Sequence, residues 1–145
     1  MTTKPVISVV ATKAAVDAIT AKWTTGSTLK IYSGSQPAST TASEVGTLGA
    51  TLTFSSTAFP ASTNLTSDGI ITATANAITS ETNAPNSITA GHFRCLDGGG
   101  STCVGMGNVG TSGADLNLNT TTITAGDTVA CTSFKITMPC GDGVS

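Results

Sequence analysis

The chain has 145 residues, a net charge of −2 and a charged fraction of 10%, against the roughly 25% usual for soluble domains. Serine and threonine together number 45, and glycine adds 16. That size fits one domain with a real core. The six basic residues Lys4, Lys13, Lys22, Lys30, Arg94 and Lys135 form no cluster, which excludes a surface that tracks a phosphate backbone. No apolar segment approaches the roughly 20 residues needed to cross a bilayer, so neither nucleic acid nor membrane is expected as a partner. Low charge with many hydroxyls is not the composition of a disordered chain, and threonine suits a pleated, half-buried surface.

The apolar run Val6 to Ala11 is shorter than the roughly 7–15 residues of a secretory h-region, and Lys13, Asp17 and Lys22 follow it. Synthesis in the cytoplasm is expected, with the four cysteines reduced at birth. Residues 1–11 read as an N-terminal arm. From Thr12 to Trp23 a helix is expected, with Val16, Ile19 and Trp23 on one face, Ala15 widening it, Thr12 as cap and Gly26 ending the run.

Leu29 to Ser33 alternates as a half-buried strand before the polar loop Gly34 to Ser39. Leu48 to Phe54 alternates most cleanly. Phe59-Pro60 interrupts, Ser67-Asp68-Gly69 is a turn, and Ile70 to Ile78 reads as one or two strands with Ile71, Ala73 and Ala75 on one face. After the loop Thr79 to Ser87 comes Ala90 to Gly110, which reads as a hairpin about Gly98-Gly99-Gly100. Reflection about Gly99 sets Asp97 against Ser101, Cys95 against Cys103 and Phe93 against Gly105. Leu116 and Leu118 mark a short strand, and Thr124 to Asp127 a turn. The last strand runs Val129 to Met138. Its apolar parity changes between Cys131 and Phe134, which predicts a bulge near Thr132-Ser133. Residues 12–138 thus form one mainly β domain of seven to nine strands, an antiparallel sandwich or jelly-roll-like fold with one short leading helix, and 139–145 a C-terminal tail.

His92 is the single histidine, yet no Gly-x-Ser-x-Gly elbow accompanies it, so it reads as a strand residue and not as a triad base. Glu44, Glu81 and the aspartates show no acid pair spaced for sugar hydrolysis. The spacings 95–103 and 131–140 are not those of structural zinc pairs. No catalytic set, metal or cofactor is expected. Cys95, Cys103 and Cys140 are candidates for a disulfide: the first two as a hairpin staple, the third on an exposed tail where it would bond a partner subunit. Cys131 reads as a small core residue.

Leu29-Lys30-Ile31-Tyr32-Ser33-Gly34-Ser35-Gln36-Pro37-Ala38 resembles an L-x-I-Y-x-G-x-x-P-A strand and loop of small virion proteins from tailed bacteriophages. Gly46 to Thr53 is similar to their second strand, and Gly91-His92-Phe93-Arg94-Cys95-Leu96-Asp97 to their G-x-F-R-x-x-D hairpin; Gly113 to Leu118 and Val129 to Thr137 follow in the same order. The resemblance implies a structural virion protein made in the host cytoplasm. The motifs do not fix its place in the particle; the first expectation is a capsid decoration or cement protein bridging subunits of the major capsid protein, in many copies and as a homo-oligomer. A neck, collar or tail-attached component is the alternative, and a host-surface or carbohydrate-binding module a further one. Outside contacts are expected from the loop 33–43 and both termini, with Tyr32, Gln36, Pro37 and Cys140 as contact residues.

Overall fold

The computed structural model describes residues 6–65 and 69–141. Among them one helix, α1 (Val9–Thr20), leads into ten strands: β1 (Thr28–Ser33), β2 (Leu48–Phe54), β3 (Thr63–Leu65), β4 (Ile70–Thr74), β5 (Ile78–Thr79), β6 (Ile88–Leu96), β7 (Cys103–Gly110), β8 (Leu116–Leu118), β9 (Thr122–Ile123) and β10 (Cys131–Pro139). The protein is a single mainly β domain with one short leading helix, as expected. Of the turn expected at Ser67-Asp68-Gly69, Ser67 and Asp68 lie outside the described residues.

The strands form one hydrogen-bonded path in the order β3-β4-β10-β8-β7-β6-β1-β2-β5, with β9 paired to the start of β6. All pairings are antiparallel except β7 with β8. The sheet curls until its far end returns to the start of β10. Glu81 and Val129 exchange both main-chain bonds, at 3.0 and 2.8 Å, and Ala84 N–H donates to Asp127 O. The layers of the expected sandwich are therefore parts of one continuous sheet wrapped around one core. Wrapping satisfies edges that an open sheet would leave unpaired.

That core is filled by inward residues of β1, β2, β6, β8 and β10, including Leu29, Ile31, Leu52, Phe54, Phe93, Cys95, Leu116 and Phe134. At one end all four phenylalanines and the single tryptophan meet. Trp23 stacks on Phe54 with centroids 6.1 Å apart, lies 5.3 Å from Phe59, and meets Phe134 edge-on at 6.2 Å; Phe93 meets Phe134 edge-on at 5.5 Å. The bulge expected near Thr132-Ser133 is present: Cys131 pairs with Leu118 and Ser133 with Asn117, leaving one extra residue on β10. The extra residue is what turns Phe134 into the core.

The helix differs from its expected form. Ser8, not Thr12, is the cap, its Oγ accepting from Ala11 N–H at 3.2 Å. The buried face is Thr12, Val16 and Thr20, and Trp23 lies beyond the helix end. Threonines occupy a buried face here because their hydroxyls return to main-chain carbonyls: Thr12 to Ser8 O and Thr20 to Asp17 O. Beneath them, Val16 packs on Ile71, Ala73 and Cys140 in a second, smaller core. The arm and tail boundaries shift with this. The helix begins at Val9, β10 continues through Pro139, and Gly141 N–H donates to Ile7 O at 3.0 Å.

One carboxylate ties the helix to the strand below it. Asp17 Oδ1 accepts from Ser62 N–H at 2.7 Å, and Oδ2 from Lys13 Nζ at 2.9 Å. These donors, the Ser62 main chain first, hold its pKa down from the ordinary 3.8 to about 2. A carboxylate with a lowered folded-state pKa stabilises above its unfolded value and loses that contribution as pH falls through the folded one. Asp17→Asn is accordingly expected to melt a few degrees lower at pH 7, with the gap closing between pH 3.8 and 2. Thermal melts of both proteins across that range check it, and a gap independent of pH would contradict the assignment.

Candidate functional site

β1 and β6 lie side by side, with Ile31 opposite Phe93, Lys30 opposite Arg94 and Tyr32 opposite His92. Leu29, Ile31, Phe93 and Cys95 enter the core. By the alternation of a strand, Lys30, Tyr32, His92 and Arg94 take the outer face. Yet Tyr32, His92 and Arg94 are buried, at 3%, 1% and 4% exposure. What buries them is the loop 34–47, folded back over the strands.

The feet of the loop are joined: Ser33 N–H donates to Thr47 O, and Thr47 N–H to Ser33 Oγ. Gly34 and Gly46 stand there at φ 76° and 82°, a region side chains disfavour. Above β6 the loop comes so close that a Cβ on Gly91 would overlap Gly34 O. His92 stacks on the Tyr32 ring with centroids 5.4 Å apart and 15° between planes, and its Nδ1 lies 3.0 Å from Gly34 O. A carbonyl only accepts, so Nδ1 carries the proton and donates. The guanidinium of Arg94 spans the far side, Nη1 donating to Ala42 O at 2.9 Å and Nη2 to Thr40 O at 2.8 Å.

Lys30 Nζ reaches Glu44 Oε1 at 3.4 Å across the rim. The Tyr32 hydroxyl, followed by Lys30 and Arg94, holds the Glu44 carboxyl below its ordinary range. Burial first, and then the Glu44 carboxylate as hydrogen-bond partner and as charge, push the Tyr32 phenol up. The layer is thus held by a stacked imidazole and a buried cation, beside a phenol that keeps its proton.

No known protein family, curated protein or solved structure matches the chain.

The candidate residues separate clearly. Of the four expected contact residues, Gln36 alone is exposed; Tyr32, Pro37 and Cys140 are buried. Gln36 lies on the rim of an open cleft of about 670 Å³ shared with Ser35, His92, Asn108 and Asp115. In that cleft His92 gives its Nδ1 proton to a main-chain carbonyl and not to a carboxylate. Asp115 is engaged with Asn108, its N–H donating to Asn108 Oδ1 and its Oδ2 accepting from Asn108 N–H.

The cysteines are corrected as well. Leu96 pairs with Cys103 and Cys95 with Gly105, because Val104 is an extra residue on β7. Asp97 closes the turn through its N–H to Thr102 O, with Oδ1 accepting from Ser101 and Thr102. The symmetric reflection about Gly99 therefore fails, and Cys95 and Cys103 are not direct cross-strand neighbours. Cys95, Cys103 and Cys131 are free thiols; burial raises the Cys95 and Cys131 pKa values. Cys140 is not on an exposed tail but beneath the helix, so it presents no sulfur to a partner subunit. Among the described residues no group of three or more His, Cys, Asp or Glu side chains is placed to hold a metal ion, and no helix is long and apolar enough to cross a membrane.

Sequence reasoning missed the exposed apolar residues Val6, Ile7, Val10 and Val45. The signal was available in the first three, which stand before the helix stripe and share none of its inward positions.

Proposed function

We propose that the chain is a structural protein of a tailed-phage virion, seated on the head as a decoration or cement protein that bridges subunits of the major capsid protein. The observation that carries this reading is the use made of the single histidine and the single arginine. Both are buried struts beneath the loop 34–47, and they fix the shape of a surface that exposes Ser35, Gln36, Ala38, Ser39, Thr41, Ser43 and Val45. A surface held in shape before contact loses little conformational freedom on docking. Repeated by symmetry, modest contacts of this kind hold a shell, since detachment requires losing several at once.

A carbohydrate-binding role is less well supported, because Trp23 and Tyr32, the rings best suited to stack on sugars, are inside the fold at 5% and 3% exposure. Quantitative mass spectrometry of purified particles tests the proposal. Hundreds of copies per particle are expected for a head decoration. A dozen or so would move the protein to the neck or tail, and absence from infectious particles would refute the virion reading.

A further inference from the structure

The outward face of α1 is built of one valine and small apolar residues. Val10, Ala11, Ala14, Ala15, Ala18 and the capping Ala21 are all exposed, while Thr12 and Thr20 face the sheet. With 3.6 residues per turn the outward residues form one continuous face. Lys13 and Asp17 stand together on one flank, and the exposed Lys22, just past the helix end, closes the row of Ala11, Ala15 and Ala18. Val6 and Ile7 extend the face before the helix, at 69% and 55% exposure, and Val10 is 78% exposed. Ile7 is no loose end, since its carbonyl accepts from Gly141 N–H.

We propose that this face is a self-association surface on which a second copy of the chain lays its own helix antiparallel, about a two-fold axis near Ala14 and Ala15. Area and charge both select this occupant. The three large side chains and the outward alanines expose on the order of 500 Å² of apolar surface per protomer, so two copies would cover about 1,000 Å², the lower bound for a specific interface. Alanines let the two helix axes approach closely, with the larger Val10 and Ile7 flanking the contact on either side of the axis. Antiparallel packing brings Lys13 level with the partner's Asp17 and the reverse, on the same flank. A parallel two-fold pair would carry the two Lys13–Asp17 flanks to opposite sides, out of reach of each other. Opposed helix dipoles favour the same direction, and the isologous contact closes at two copies. The inference stands apart from the virion reading: a dimer is possible outside any particle, and a particle protein need not dimerise.

Sedimentation equilibrium of the full chain tests it, with Ala14→Glu and, as control on the far side of the domain, Ala38→Glu. Weight-average mass is expected to rise from one chain toward two between about 1 µM and 1 mM, the range for an interface this small. Ala14→Glu should remain a monomer with an unchanged melt, because residue 14 is exposed, and Ala38→Glu should dimerise like the parent. A parent that stays monomeric throughout, or dimers that Ala14→Glu leaves intact, would overturn the proposal. So would a monomeric parent whose attachment to particles is lost in Ala14→Glu, which would give the face to a different protein.

Discussion

Trp23→Ala is expected to lower the melting temperature by roughly 10–15 °C, the shift that follows from a loss of about 3–5 kcal/mol in a domain of this size. Trp23 stands beyond the helix, where main-chain bonds from Lys22 to Ile19 O and from Trp23 to Thr20 O tighten the chain toward β1. Its ring then closes the end of the wrapped sheet against Phe54, Phe59 and Phe134. Truncation to alanine removes one wall from three aromatic contacts at once. The cavity would open between the helix connection and the sheet, two parts that cannot close on each other while β1 and β10 hold their registers. Trp23→Phe refills part of the space and should recover about half of the loss. Thermal melts by circular dichroism check both, and a loss under about 1 kcal/mol would mean that the ring is not structural.

The second large effect is expected at Arg94. Replacement by methionine keeps an unbranched apolar stem but removes both donors to Thr40 O and Ala42 O. The cost is about 2–4 kcal/mol, each lost bond from a charged donor contributing more than a neutral one. Loss of those bonds should free the loop 34–47 before it unfolds the sheet, because the strands beneath remain paired through β1, β2 and β6. The expected result is cleavage within residues 35–46 by a small-residue protease at least ~10-fold faster than in the parent, at temperatures where the sheet is intact. Arg94→Lys supplies one point donor for two carbonyls and should fall between. Cleavage elsewhere, or none beyond the parent's, would contradict the strut role.

Much of the fold is legible in the sequence because its local signals agree with the tertiary outcome. Leu48 to Phe54 is a strand with the expected bounds, Leu29 to Ser33 begins one residue earlier, at Thr28, and the parity break of β10 marks its bulge. Other features fail for identifiable reasons. β3 and β9, of three and two residues, are too short to carry a period. The hairpin register depends on Val104, which no turn rule predicts, and on Asp97, whose carboxylate reorganises the loop. Only Gly100 of the three central glycines has a positive φ; Gly98 is required instead because Thr24 and Thr25 press against it. Hydropathy placed Val16, Ile19 and Trp23 inward, where they are, but Ala15 is exposed and Thr12 is buried with Thr20 beside Val16, since hydropathy cannot show that threonine hydroxyls bond back to the helix. Cys140 is buried by residues of α1 and β4, far from it in sequence.

The candidate site was half visible. Tyr32, Gly34 and Pro37 on one side and Gly91, Phe93 and Arg94 on the other belong to the two stretches that carry the phage resemblance. In the fold these stretches are adjacent strands with one loop between them and above them. Their joint role depends on β1 lying beside β6, a long-range pairing that neither stretch encodes by itself.

The most direct measurement is amide hydrogen exchange of residues 35–46, compared between the free chain and the chain attached to purified phage heads. The account predicts that the loop, already ordered in the free chain, gains strong additional protection on attachment, while the outer residues of β7 do not. Identical exchange of the loop in both states, with the chain demonstrably attached, would contradict it.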